Sequence, residues 1–347
     1  MSYINKIIFF VLILPILLCL HIYDANANAN ANANGLSIHN NSLYLNNKRW
    51  YPKGVSIVSF ETPLFNKYKP THKFDIDEIY EIKKFGANLV RISVSQGGLD
   101  SQSKIYSRHY VENIIRAIKL ARSHHLIVII DMQWQSYSDS AYEGGVPTVT
   151  TYRAWQSLLK YVKDDPGVML ELFNEPEPSA NFQHWLKWQK YFNELIFSVR
   201  REGSNNIFLI DGLNWATTFS GMPKIHDPKN KLVYAIHPYL ADDDLKSFIW
   251  NKRYGFFSKS HPVIATEFMA WSYPGGPCVN ELPTITKKLL IYLRNKNIGI
   301  VAWAFDFDNL RSSNGVYTSF NDYMCPAKHI EGAGELIHSY FDHRVFK

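Results

Sequence analysis

From about residue 36 onward, short runs rich in β-branched and aromatic residues alternate with longer stretches whose apolar residues recur every three or four positions, and few folds accept that pattern. The runs fall at Gly54–Phe60, Ala87–Val94, Leu126–Met132, Val168–Asn174, Ile207–Asp211, Leu232–His237, Pro262–Glu267 and Ile298–Ala304. Between them, helices are predicted at Asp75–Lys84, Tyr110–His124, Tyr152–Val162, Phe182–Arg200 (closed by Gly203), Asp244–Lys252 and Thr284–Lys296. In the second of these, Val111, Ile114, Ile115, Ile118 and Ala121 form the one-sided stripe of a helix that covers a sheet. Strands with near-continuous Val, Ile, Leu and Phe need cover on both faces, as a parallel sheet provides. Eight β-α units predict an α/β protein that is a single closed (β/α)8 TIM barrel, with no linker dividing it. An open doubly wound sheet that binds nucleotide is the competing architecture. It lacks support, because no G-x-G-x-x-G follows the first strand and no G-x-x-x-x-G-K occurs.

The 347 residues, 46% hydrophobic and 15% aromatic, supply a core of the size such a barrel requires. The net charge of +6 comes from scattered lysines and arginines rather than a basic block, which argues against a nucleic-acid partner. At the N-terminus, Lys6, the apolar run Ile7–Leu20 and the A-x-A pattern opening at Ala25-Asn26-Ala27 read as an export signal over residues 1–27. The apolar run is shorter than the roughly 20 residues a bilayer span needs, so a secreted or periplasmic protein free of the membrane is expected, an uncleaved anchor being the alternative. The alternating Ala-Asn tract, residues 28–36, reads as a spacer, leaving 37–347 as the folded domain. Loss of Cys19 with the signal leaves Cys278 and Cys325, an even pair expected to form one disulfide between the loops after the seventh and eighth strands.

Two of the apolar runs end by delivering a glutamate. Leu172-Phe173-Asn174-Glu175-Pro176 does so after the fourth strand and Val263-Ile264-Ala265-Thr266-Glu267-Phe268 after the seventh. In a barrel the C-terminal strand ends converge on one face, so these carboxyl groups would meet there. Arg91, Gln133-Trp134, Asn174, Asn214-Trp215, His237, Tyr239 and Trp303 are carried to the same face. Two facing carboxylates are what hydrolysis of a glycosidic bond needs, one to protonate the leaving oxygen and one to attack the anomeric carbon. A single strand-end glutamate is more often solvated or a helix cap; its company carries the reading here. Arg91 would favour the ionised form of Glu267, whereas a proton donor at Glu175 needs apolar or anionic surroundings. His237 and Tyr239, two apart on a strand, would point to one face. Trp155, Trp185, Trp188 and Trp250 lie in helical stretches and read as packing, whereas Trp134, Trp215, Trp271 and Trp303 follow strands and offer rings to a sugar. Asp242-Asp243-Asp244 reads as a helix cap rather than a calcium site, and His124-His125 face apart, so no metal is expected.

In order and position, Asn-Glu-Pro, His-Pro-Tyr, Thr-Glu-Phe and a late Trp resemble family 5 glycoside hydrolases, the retaining cellulases, mannanases and their relatives, over residues 45 to 310. The resemblance implies that Glu175 is the acid/base and Glu267 the nucleophile, supported by Arg91, Asn174, His237, Tyr239 and Trp303. Gln133 departs from it, standing where many members carry a histidine; an amide still hydrogen-bonds a hydroxyl but does not titrate. The expected activity is a monomeric, cofactor-free retaining endo-β-glycanase, foremost an endo-β-1,4-glucanase acting on a polysaccharide. A mannanase or other β-glycan hydrolase, and a non-catalytic carbohydrate-binding barrel, are the alternatives.

Overall fold

The computed structural model describes residues 35–63, 70, 72–133, 145–240, 246–268, 282–319 and 333–343. Eight parallel strands close into a barrel in the order β10-β11-β4-β5-β6-β7-β8-β9. They are β4 (Lys53–Ile57), β5 (Leu89–Ser95), β6 (Ile127–Gln133), β7 (Val168–Glu171), β8 (Ile207–Asp211), β9 (Leu232–Ile236), β10 (Val263–Phe268) and β11 (Gly299–Ala302). All eight predicted strands are present, and β9 pairs with β10 to complete the ring. The fourth is shorter than expected: it ends at Glu171, so Asn174 and Glu175 lie in the turn beyond it.

Helices α1 (Ile76–Lys84), α2 (Arg108–Ser123), α3 (Val149–Val162), α4 (Phe182–Arg201) and α5 (Leu282–Asn295) follow strands as the sequence predicts. The first four start where a polar side chain caps the free backbone amides: Asp75, Ser107, Thr148 and Asn181 each accept from an N–H in the first turn. After α4 the chain turns at Gly203, whose φ of +90° suits a residue without a Cβ. The predicted helix at Asp244–Lys252 is reduced to one turn at Ser247–Trp250, followed by a wider turn at Asn251–Gly255.

A small sheet and a late helix are among the elements that escaped the sequence reading. Residues 36–50 form a three-stranded antiparallel sheet, β1 (Leu36–His39), β2 (Ser42–Leu45) and β3 (Lys48–Trp50), so Leu36 begins a strand rather than ending a spacer. Near the other end of the chain, α6 (Gly334–Phe341) buries Ile337, Tyr340 and Phe341, and Phe341 packs edge-on against Phe85. The signal segment, Trp134, Asp242–Asp244, Trp271, Cys278 and Cys325 lie outside the described residues. Among the described residues no helix is long and apolar enough to cross a membrane.

Period-two alternation sorts each strand into an outward set under the helices and an inward set. The inward set is split by height. Its lower layers, Leu89, Ile127, Ile129, Met169, Ile207, Leu209, Val233, Ala235, Ile264 and Val301, are all apolar and nearly inaccessible. Gly54 shares this region, where a Cβ would come within 2.7 Å of Leu89 and 3.0 Å of Val301. Leu43 of β2 joins this cluster, with Leu36, Ile38, Leu45 and Trp50 packed around it, so the small sheet closes the barrel floor. One step further along the same strands, or just past the end of β9 for His237, the inward residues become Arg91, Asp131, Glu171, Asp211 and His237, every one buried.

This layering separates stability from chemistry. Leu43→Ala should cost about 2–5 kcal/mol of unfolding free energy in urea melts, the range for emptying a buried leucine site. It should leave kcat/KM of the folded protein within about twofold, because floor positions of such barrels serve stability; a selective loss of turnover with an unchanged melt would contradict the separation.

Candidate active site

At the C-terminal mouth the geometry is organised by Arg91, the third residue of β5 and wholly buried. Its Nε donates to Glu171 Oε2 at 2.6 Å, Nη1 to Glu267 Oε1 at 2.8 Å and Nη2 to Asn174 Oδ1 at 2.8 Å, with Asp131 Oδ2 3.0 Å from Nη2. The planar fork thus sets the positions of three acids and one amide, work a lysine's point charge would not do. Asn174 Nδ2 donates to Gln133 Oε1 at 2.9 Å, and Gln133 Nε2 to Asp131 Oδ2 at 2.9 Å. Gln133 is therefore a buried link between Asn174 and Asp131, in keeping with a supporting place in the site.

Glu267 reaches this cluster because β10 carries a bulge. Ala265 pairs with Ile300 and Phe268 with Ala302, so two residues of β10 stand opposite one of β11. Alternation breaks there. Thr266 and Glu267 both contribute to the site, while Phe268 returns to the core. Tyr239 donates its hydroxyl to Glu267 Oε2.

The opposite carboxyl is placed differently. Glu175 has a φ of +46°, the left-handed region that non-glycine residues seldom occupy. Asp211 accepts its backbone N–H at 2.9 Å, and His237 Nδ1 lies 2.8 Å from its Oε1. His237 Nε2 faces Thr266 Oγ1 at 3.1 Å, and Thr266 donates to Glu171 Oε1 at 2.7 Å. Since the threonine hydrogen is spent on Glu171, its oxygen accepts from Nε2–H, and the other ring nitrogen meets a carboxylate. Both neighbours suit an imidazolium. His237 and Tyr239 lie beyond the end of β9 at Ile236, so a turn in which Tyr239 N–H donates to His237 O brings them together, not a shared strand face.

Burial and charge act in opposition on these groups. For His237, burial alone would lower the pKa, but Glu267, Glu171 and Glu175 outweigh it and raise it well above the usual histidine value. Glu171 is lowered to about 2 because Arg91 and His237 overcome its burial. Burial pushes Glu267 upward, with His237 and Arg91 pulling the other way. Arg91 thus favours the ionised nucleophile, as expected, while burial, the larger effect, opposes it. Donor atoms of Glu175, His237 and Glu267 lie within 4.8 Å of one another, as do those of Glu171, Asp211 and His237. Cation-binding distances alone do not make a metal centre. Both oxygens of Glu171 serve Arg91 and Thr266, and both of Glu267 serve Arg91 and Tyr239, so protein groups already supply the compensation these carboxylates need.

Of the aromatic candidates, Trp215 is 41% exposed, within a left-handed turn formed by Asn214, Trp215 and Ala216. Its N–H donates to Pro176 O and that of Asn214 to Pro178 O, fixing this turn to the loop that carries Glu175. Trp303 is half-buried, and its N–H donates to Phe268 O. Trp155, Trp185, Trp188 and Trp250 are buried packing residues, as expected. The residues missed from sequence are Asp131, Glu171, Asp211 and Thr266. A signal for the acids was available: each follows Ile129, Met169 or Leu209 by two positions, an acid at inward parity in a doubly buried run.

A family model described as cellulase, glycosyl hydrolase family 5, matches residues 50–309. The cellulase CelDZ1 of Thermoanaerobacterium sp is 25% identical over 251 residues, 67% of this chain, which spans only 60% of that protein's length. An endoglucanase of Paenibacillus polymyxa is 24% identical over 306 residues, 73% of this chain and 75% of that protein. Among solved structures, β-glucanase SdGluc5_26A of Saccharophagus degradans in complex with cellotetraose aligns with a TM-score of 0.67 at 20% identity, covering 90% of this chain and 94% of that one. The β-mannanase of Streptomyces thermolilacinus with mannohexaose aligns at 0.61 with 16% identity, covering 83% and 92%. At such identities the structural likeness speaks for the fold alone. The extent of the family match settles membership: this chain belongs to the cellulase family, glycosyl hydrolase family 5.

Proposed function

We propose that this protein is a retaining endo-β-glycanase, foremost an endo-β-1,4-glucanase, with Glu175 as acid/base and Glu267 as nucleophile. The observation that carries the reading is the facing pair itself, with oxygens of Glu175 and Glu267 within 4.8 Å of one another across His237. That spacing suits double displacement, for which the two carboxyl groups stand about 5–5.5 Å apart, rather than inversion at about 6.5–9.5 Å, where a water must fit between them. Glu267, oriented by Arg91 and Tyr239, attacks the anomeric carbon; Glu175, sharing a hydrogen bond with His237, protonates the departing oxygen and then deprotonates the incoming water. Asn174, oriented by Arg91 and Gln133, is suited to the 2-hydroxyl, whose hydrogen bond strengthens in the transition state. Trp303 and Trp215 offer rings to the sugars. The cellulase and endoglucanase names of the sequence relatives support β-glucan as substrate, and the mannanase among the structural neighbours supports β-mannan as a second reading. Export is part of the proposal, resting on Lys6, the apolar run at residues 7–20 and the A-x-A pattern.

Hydrolysis assays on carboxymethyl cellulose, mannan, xyloglucan and xylan test the reading, with release of reducing ends from the first polymer expected; inactivity on all four would overturn it. The first-formed product should retain the β configuration by NMR, and an inverted anomer would exclude Glu267 as nucleophile. Glu267→Ala should lose about 10⁴-fold or more on every substrate. Glu175→Ala should lose about 10²–10⁴-fold on polysaccharide but much less on aryl glycosides whose leaving group needs no proton. Equal losses on both substrates would reverse or void the assignment. Because burial raises Glu267 from the ordinary 4.5 and the nucleophile must be ionised, kcat/KM should fall as pH drops through a value above 4.5. An acid limb lying below 4 would contradict that sign.

A further inference from the structure

Thr266 is wholly buried on β10, one residue before Glu267, and its hydroxyl stands between two side chains. Its oxygen lies 2.7 Å from Glu171 Oε1 and 3.1 Å from His237 Nε2. Glu171 is ionised, since Arg91 Nε donates to its other oxygen at 2.6 Å, and a carboxylate only accepts. The single hydroxyl hydrogen is therefore committed to Glu171, and only lone pairs of the threonine oxygen face the imidazole. Nε2 then has to carry a hydrogen, because a bare nitrogen would set two lone pairs against each other in a site closed to water. On the opposite edge of the ring, Nδ1 stands 2.8 Å from Glu175 Oε1. Other acids surround the ring: Glu267 Oε2 is 3.6 Å from Nδ1, while Glu171 Oε1 and Asp211 Oδ2 are 3.7 and 3.9 Å from Nε2. Tyr239 approaches edge-on, its ring centroid 6.5 Å away. These acids draw protons to the imidazole without deciding which nitrogen holds the last one. Thr266 decides it.

The effect reaches Glu175 through the ring. With a hydrogen fixed on Nε2, one further proton lies between Nδ1 and Glu175 Oε1 and belongs to the pair rather than to either residue. If that proton leaves, a bare Nδ1 faces a carboxylate with no hydrogen between them. A neutral ring escapes this conflict by carrying its hydrogen on Nδ1, but its Nε2 lone pair then meets the Thr266 oxygen. Both deprotonated forms are penalised, so the pair keeps its proton to higher pH. We propose that Thr266 is a positioning residue for the acid/base: by holding a hydrogen on His237 Nε2 it keeps a transferable proton on the Glu175 side until the glycosidic bond breaks. In that step the proton passes to the leaving oxygen as its bond to the anomeric carbon breaks and the bond from Glu267 forms. The water that later attacks the same carbon returns a proton to Glu175. The proposal rests on the glycanase reading above.

Thr266→Val removes the hydroxyl with little change of shape, and Thr266→Ser keeps it. For wild type and both variants, kcat/KM is measured against pH on phenyl β-cellobioside, whose leaving group needs a proton, and on dinitrophenyl β-cellobioside, whose leaving group does not; the corresponding β-mannobiosides are run in parallel. On the phenyl substrate, Thr266→Val should move the alkaline limb down by about one pH unit, an about tenfold loss at pH values above it, and Thr266→Ser should return the limb to its wild-type position. On the dinitrophenyl substrate that limb should be absent from all three proteins. An unmoved limb overturns the proposal. So does a loss in Thr266→Val that is equal on both substrates and at every pH, since a displaced β10 would injure Glu267 instead. If Thr266→Val does not fold, the wild-type protein decides: in NMR spectra of isotope-labelled histidine, assigned against His237→Asn, Nε2 of His237 should stay protonated throughout the titration, and a neutral ring with its hydrogen on Nδ1 overturns the role of Thr266. Glu175→Ala checks the underlying reading separately, because equal losses on the phenyl and dinitrophenyl substrates would void the acid/base assignment whatever the Thr266 variants do.

Discussion

A guanidinium shut off from water must be neutralised by protein, and the way Arg91 achieves this sets the positions of the surrounding site. Its nitrogens reach Glu171, Glu267, Asn174 and Asp131, residues contributed by β6, β10, and β7 with its following turn. Removing one member of such a cluster strands the others in a low-dielectric interior, a loss of about 3–5 kcal/mol for a buried pair. The arrangement is thereby self-checking: strands that closed in another register would leave a buried charge unmatched. On the Glu175 side, His237 Nδ1 lies 2.8 Å from Glu175 Oε1 and 3.6 Å from Glu267 Oε2, so the two candidate catalytic carboxyls share one neighbouring imidazole.

The apolar lower layers make that concentration of charge tolerable. Ten apolar side chains and the sheet beneath them fill the lower barrel, a source of stability separate from the polar layer above. The change from aliphatic to ionic along a single strand, as from Ile129 to Asp131 or from Leu209 to Asp211, takes one step of the strand period. Where that period would point a needed side chain the wrong way, the backbone departs from regularity: at the bulge before Phe268 and at the left-handed turns of Glu175 and Trp215.

The eight strands, most of the covering helices and the two facing glutamates were legible in the sequence because each follows from local periodicity or from a short motif at a strand end. The floor sheet was not. Its strands are three or four residues long and carry only a few apolar contacts each, too little for pattern reading to register. For Gln133 the sequence offered a place at the barrel mouth but not its partners, Asn174 and Asp131. The sequence offers Arg91 as a neighbour that favours ionised Glu267, but gives no measure of how completely the site excludes water, which is the larger influence on that carboxyl.

The left-handed backbone at Glu175 bears on how this protein can be improved. A residue with a Cβ at φ +46° works against folding, and glycine would relieve that conflict while deleting the candidate proton donor. Selection for thermostability alone would therefore press on the candidate proton donor, and a library screened for survival on heating would enrich glycine there unless turnover were scored in the same round.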